Sequence, residues 1–447
     1  MNGFPAEVWD AVLSYLDPLE DRQIVVSLCL VSKLLLHIAR PMLYSVLARE
    51  DLHQESLAAT LSGMNGEALS GMVREVVMDN YLGMEDLVVI RKVENNEREF
   101  YTEAEVQSAQ MKMDRRRDQA MAVVKDCRNV CKMDFFVDEP RVEFLMFRLT
   151  SLPALARMLS FPFLDNLREL CIWDQYGSGI DYSPIGQLVL ACRQLRKVKL
   201  RYLWPKSFFQ PILFALSQQP DLPIALDTLE CIETRSDVDS TEEPPLWFNE
   251  MLRSFALLPC LRHIIFTGSW AHYDFLEDEI RGLRMLQVTR LTINEISPQY
   301  YAHHSSPDAM QLLSRYFPHL QELSMAAVEA VSYRVADITM PLLRVLSLTE
   351  KRCQEEDPRL SPVSIFICLP DQLLHRDFAP KLEMAKFRMR RPEYDAAAIA
   401  GVEEAEEVMG EVDMLTVGER LVSVEVIYGA ERRVFCRGEQ GFFVAGM

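Results

Sequence analysis

The chain has 447 residues, with 66 Asp and Glu against 47 Lys and Arg, giving a formal charge of −19. That balance argues against general nucleic-acid binding and against anionic membranes, because phosphate surfaces attract clustered cations and repel a net negative protein. A quarter of the residues are charged and 49% are apolar, the composition of a globular chain long enough for several domains or one long repeat array.

Residues 1–7 lack the basic segment and apolar core of a secretory signal. The apolar run at 24–31 is far shorter than the ~18 residues a membrane-spanning helix needs. Ten cysteines are scattered without a Cys-x-x-Cys pair. Free thiols in a reducing compartment, cytoplasmic or nuclear, are expected.

The first 47 residues are about 60% apolar. A first helix is predicted after Pro5, with Glu7 at the positive end of its dipole and apolar residues at Val8, Trp9, Val12, Leu13 and Leu16. Asp17-Pro18 reads as the start of a second, with Asp17 as N-cap, Glu20 at capping-box spacing, and Ile24, Val25, Leu28 and Val31 along it. A third carries Leu34, Leu35, Ile38, Met42, Leu43 and Val46, disturbed at Pro41. Three helices this short cannot hide so much apolar surface on one another. The excess is either packed on the rest of the chain or left as a docking face.

These residues resemble the F-box. Its opening Leu-Pro-x-Glu-Val corresponds to Phe4, Pro5, Ala6, Glu7 and Val8, its spaced aliphatics to Val12, Leu13 and Leu16, and its central Val-Ser-Lys to Val31, Ser32 and Lys33. Residues 39–44 look like the variant common among fungal F-box proteins. Phe4 for Leu, and Trp9 where an aliphatic is usual, are departures that keep an apolar edge. The resemblance covers about a tenth of the chain. It implies docking on a Skp-type adaptor, and through it on a cullin, in an SCF ubiquitin ligase. It makes Phe4, Pro5, Val8, Val12, Leu13, Leu16 and Val31 the adaptor-facing patch or its immediate support. Such a subunit does no chemistry; it contributes proximity by holding a protein substrate near the conjugating enzyme.

Further along, an apolar phrase recurs: Leu167-x-x-Leu170-x-Ile172, then the same spacing from Leu195, Leu261, Val288, Leu320 and Leu343, with a weaker copy from Leu226. Intervals run from 23 to 35 residues, and a proline precedes several phrases, as at Pro259, Pro318 and Pro341. Val73 and Val130 open similar stretches on either side of a polar, helix-like insertion at 94–125. Helix-like stretches at 247–257, 273–286 and 308–316 separate later phrases. A strand plus a helix in each interval resembles a leucine-rich repeat. The position where regular repeats place a ladder Asn or Cys instead holds Gln175, Leu203, Ser269, Ile296, Val328 and Lys351. An α/β domain whose strands begin with Leu is the alternative.

The expected fold is therefore α/β: a three-helix F-box at 1–48, an irregular leucine-rich-repeat-like solenoid with a parallel concave sheet at 49–395, and an acidic connector with a β cap at 396–447. Residues 403–413 hold six acids and no base, and 421–428 alternate like a strand. Alternation would place Glu169, Cys171, Trp173, Lys197, Lys199, Arg201, Arg290, Thr292, Glu322 and Ser324 on the concave face. Among them Lys197, Lys199 and Arg201 form a basic row suited to an acidic or phosphorylated segment, and Trp173 is a candidate anchor. Residues 236–245 and 350–362 read as charged surface loops, and His303-His304 as an exposed turn.

No G-x-G-x-x-G, Walker loop, G-x-S-x-G or H-E-x-x-H motif is present. Cys127 and Cys131 lack further ligands nearby and read as buried thiols. No cofactor or metal is expected. The leading expectation is a substrate-recognition subunit of an SCF ligase. An adaptor-binding scaffold without a degradation substrate, and an enzyme with a dispersed site, are the alternatives.

Overall fold

The computed structural model describes residues 5–52, 60–61, 69–79, 108, 111, 115, 118–119, 121–137, 161–174, 183–201, 206–219, 224–232, 256–267, 284–293, 309–328, 339–351, 374–389, 409, 417–428, 431–438 and 442–444. Two compact halves, Met1–Leu226 and Asp227–Met447, divide the chain.

The first half opens with helices α1 (Ala6–Leu13), α2 (Arg22–Val31) and α3 (Lys33–Leu43). They pack through Leu13, Val25 and Ala39, with Leu16, Leu28, Cys29, Ile38, Met42 and Leu43 around that core. The second helix starts later than its sequence predicts. Asp17 caps a turn instead, its Oδ1 accepting the Leu19 and Glu20 N–H groups at 2.8 and 3.0 Å. These donors hold the Asp17 carboxyl below its ordinary pKa. Because that turn already satisfies residues 19 and 20, helical geometry begins only at Arg22. Ser32 is a true N-cap, its Oγ accepting the Leu35 N–H at 3.1 Å. Pro41 is accommodated within α3 near its C-terminal end.

Strands β1 (Val46–Leu47), β2 (Glu75–Asp79), β3 (Lys132–Val137), β4 (Glu169–Asp174) and β5 (Lys197–Arg201) follow, each parallel to the last. Helix α4 (Arg49–Leu52) lies between β1 and β2, and α5 (Ser183–Ala191) between β4 and β5, with α6 (Lys206–Gln218) after β5. Arg22 of α2 pairs with Asp51 of α4, whose Oδ2 also accepts the Ala48 N–H. This partly buried pair fastens the helical head to the first strands.

The second half has seven parallel strands among its described residues: β6 (Thr228–Ile232), β7 (His263–Thr267), β8 (Arg290–Ile293), β9 (Glu322–Val328), β10 (Val345–Lys351), β11 (Met384–Met389) and β12 (Ser423–Tyr428). Helix α7 (Ala309–Tyr316) precedes β9. Strands β13 (Glu431–Arg437) and β14 (Phe442–Val444) then turn antiparallel. The alternating segment at 421–428 is thus a further parallel strand. Glu350 and Lys351, read as loop from sequence, extend β10. The stretch at 273–286 is not helical at its end: Met285 opens a turn, accepting the Val288 N–H at 3.2 Å. The segments 236–245 and 303–304 lie outside the described residues.

One local device repeats throughout. A buried residue starts a turn, the residue three later closes it, and the strand begins two positions on. Leu258 to Leu261, Met285 to Val288, Phe317 to Leu320, Met340 to Leu343, Ala379 to Leu382 and Gly418 to Leu421 are all closed by such a bond. The prolines before the phrases explain themselves here: Pro259, Pro318, Pro341 and Pro380 occupy the second turn position, where φ near −65° is required. In each strand the third and fifth residues after the turn are buried, as Leu346 and Leu348 are after Leu343. Each such side chain contributes about 1.5–3 kcal/mol on burial. Neighbouring repeats are locked by the carbonyl just before a strand. That of Arg168 accepts both Arg196 and Lys197 N–H, and those of Arg74, Cys131, Asp227, Arg262, Thr289, Gln321, Arg344 and Glu383 do the same for the next strand.

Candidate interaction surfaces

The helical head leaves much apolar surface uncovered. Val8, Val12 and Tyr15, at helical spacing along and just beyond α1, are 41, 46 and 89% exposed. On α2, Leu30 and Val31 are 83 and 70% exposed. Ile24, Val26, Leu34 and Leu36 are exposed as well. The short helices have too little facing surface to bury these groups, and among the described residues nothing packs over them. Of the residues implied by the F-box resemblance, Pro5, Val8, Val12 and Val31 are exposed. Leu16 is half-buried against the core, and Leu13 is a core residue at 5% exposure. Leu13 therefore supports the patch and does not face outward. Phe4 lies outside the described residues.

The second surface is the side of the sheet whose side chains alternate with the buried ones. In β5, Val198 and Leu200 point inward while Lys197 and Lys199 are half-exposed. The basic row does not stand alone: Lys199 Nζ lies 3.9 Å from Glu169 Oε1 on β4. Next along, Lys132 Nζ meets Glu75 Oε1 at 2.6 Å and Asp134 Oδ2 at 3.8 Å. Glu75, Lys132, Glu169 and Lys197 are consecutive register partners. The charges alternate across this face. Burial pulls the Lys132 pKa down, but the Glu75 hydrogen bond and the charges of Asp134, Glu75 and Glu169 outweigh it, so it stands above its usual value. Burial raises the Asp134 pKa, helped by Glu75 and Glu169 and opposed by Lys132 and Lys199. Its Oδ1 is buried without a hydrogen-bond partner.

Cys171, expected on the open face, is only 3% exposed. It sits in register between Asp134 and Lys199, longer side chains on both sides of a small one. Trp173 and Arg201 are register partners, but their side chains fall outside the described residues. In the second half, Arg290 and Glu322 form an exposed ion pair at 3.8 Å, of little energetic weight. His263 Nε2 and Thr292 Oγ1 are 3.1 Å apart, and Ser324 is in register with Thr292. Glu425, nearly buried, is held by Lys386 at 3.4 Å and by Arg432.

A polar row escaped the sequence reading because it lies just before each phrase, not eight residues into it. Asn129 Nδ2 donates to the Gly71 carbonyl at 2.7 Å and Asn166 Nδ2 to that of Arg128 at 3.0 Å. Gln287 reaches the Ala256 and Leu258 carbonyls, and His319 Nδ1 donates to that of Leu286 at 2.9 Å. Polar residues immediately preceding the phrase were the available signal.

Cys127, Cys192 and Cys231 are buried, and desolvation pushes each thiol up to about 12. They are inert as nucleophiles or ligands at neutral pH. Among the described residues, no group of three or more His, Cys, Asp or Glu is placed to hold a metal ion, and no helix is long and apolar enough to cross a membrane. The chain matches no protein-family model and no curated protein.

Proposed function

We propose that this chain is a substrate-recognition subunit of an SCF (cullin–RING) ubiquitin ligase. Its helical head acts as an F-box on a Skp-type adaptor, and a leucine-rich-repeat-like solenoid recruits a protein substrate. The observation that carries this reading is the uncovered face of the head. Val8, Val12, Leu30 and Val31 are apolar, exposed and carried by short helices whose own core is closed by other residues. An apolar face of this kind is stabilised by a partner's groove or helix. The turn-and-strand repeat supports the second element, because parallel strands stacked through backbone bonds give the extended side-chain surface that solenoids use for protein partners. The Arg22–Asp51 pair gives the receptor a further property, holding the head at a defined angle to the first strands so that a docked substrate is presented in a fixed direction.

The test is co-expression of the full chain with a Skp-type adaptor. A stable complex is expected, lost on Val12→Asp with Val31→Asp. Failure of the intact chain to bind the adaptor overturns the reading. Partners that co-purify should live longer in cells when residues 1–47 are deleted; if none does, the degradation role fails.

A further inference from the structure

The geometry points to an arginine-rich strip along the strand-start edge of β2–β5 that binds a short acidic segment of a protein partner. Arg74, Arg168 and Arg196 each immediately precede a strand, and backbone bonds place them in one row with Cys131. Adjacent strands are ~4.8 Å apart, so Arg168 and Arg196 are neighbours and Arg74 lies about twice that distance beyond Arg168. The turns beneath add Arg128 and Arg193. All five arginines are exposed. The acids exposed on the same turns are Asp126 and Asp165. The strip is thus net positive in a chain of net charge −19.

The same register positions in the second half show what an arginine does there when its role is structural. Arg262 donates to the Gln287 carbonyl at 2.9 Å, and Arg344 forms a two-pronged pair with Glu383 at 2.7 and 3.0 Å. Arg74 likewise donates to the Asn129 carbonyl at 3.4 Å, whereas Arg128, Arg168 and Arg193 make no such bond to a described residue. Their guanidinium groups present forked donors suited to carboxylates. The open face beside the strip alternates in charge and offers an anion no comparable run of cations. A long polyanion is disfavoured by the net charge of −19, whereas a short acidic peptide need meet only the strip. The binding chemistry stands without the receptor reading; only the identification of the partner as a ligase substrate rests on it.

The experiment uses the full-length protein and labelled peptides alternating Glu with Gly, or Gln with Gly, followed by fluorescence anisotropy. The Glu peptide should bind with an affinity that falls as salt rises, and the Gln peptide should not bind. Arg168→Glu with Arg193→Glu should weaken binding about tenfold, because two attractive charge contacts become repulsive. Arg376→Glu, an exposed change in the second half, should leave it unaltered. Equal binding by the double variant, equal binding of the Gln peptide, or tighter binding of duplex DNA than of the Glu peptide overturns the proposal. Adaptor binding, measured on the same samples, depends on the head, so either reading can fail while the other stands.

Discussion

Val12 and Leu13 are adjacent in one helix, yet one is exposed and the other buried, and under the proposed function that contrast makes a sharp prediction. Full burial of a valine side chain is worth about 1.5–3 kcal/mol. Val12 is 46% exposed and Val31 70%. Covering what they now show to water would contribute about 2–3 kcal/mol in total. Alanine keeps the Cβ, so Val12→Ala with Val31→Ala forfeits only the two outer methyl groups of each and should weaken adaptor binding by about 10- to 30-fold. The fold should be barely affected, since exposed substitutions usually stay within ~0.5 kcal/mol. Leu13→Ala should behave in reverse. At 5% exposure in the head's core, it should cost about 2–5 kcal/mol of stability, and adaptor affinity should fall only as the head unfolds. Isothermal titration against a purified Skp-type adaptor, paired with thermal melts of each variant, measures both quantities. Unchanged affinity in the double alanine variant, with the melting curve intact, would refute the assignment of this face.

Three other outcomes follow from the geometry. Arg22→Ala strands the nearly buried Asp51 carboxylate, and the cost should be about 1–3 kcal/mol in urea unfolding, reduced from a fully buried pair because Arg22 is 30% exposed. A double-mutant cycle with Asp51→Ala should show coupling; strict additivity would deny the link. Maleimide should label exposed Cys260 readily, while Cys127, Cys192 and Cys231 react only on unfolding; rapid native labelling of those three would contradict their burial. Because the folded-state pKa of Asp134 is raised, its ionisation costs stability as pH climbs from 3.8 through the folded value, and the cost is absent below 3.8. Asp134→Asn should accordingly stabilise the protein at pH 7, with the gain vanishing in acid. A gain that grows in acid would be the wrong sign.

Much of the sheet could be read from the chain because strand burial has period two, and Leu, Ile and Val mark the inward positions. The phrase from Leu382 escaped notice because Ala385 takes the middle place, where a fully buried small residue fills the inward position. Strand β12 was legible as a strand, but its partner was not, since direction of pairing leaves no trace in local alternation. The start of α2 was misplaced because a carboxylate followed by proline serves a turn as readily as a helix. On the open face, sequence could place Lys197 and Lys199 on one side, but it could not show that Glu169 stands across from Lys199. Which side chains face one another is a property of register between distant segments, and register is set only on folding.

The doubled hydrogen bond at the foot of each strand has a consequence for how such a molecule can change. The carbonyl before one strand grips the first amide of the next and the amide just before it, and the turn before it is closed by backbone atoms alone. Alignment is thus set where a strand begins and owes nothing to where the chain travels after the strand ends. The intervals between successive parallel strands can therefore differ widely, from β9 to β10 at one extreme to β2 to β3 at the other, while the parallel pairing stays in step. The far side of each repeat can be lengthened or rewritten like the free margin of a bound page. New recognition loops can arise there without the spine being reset.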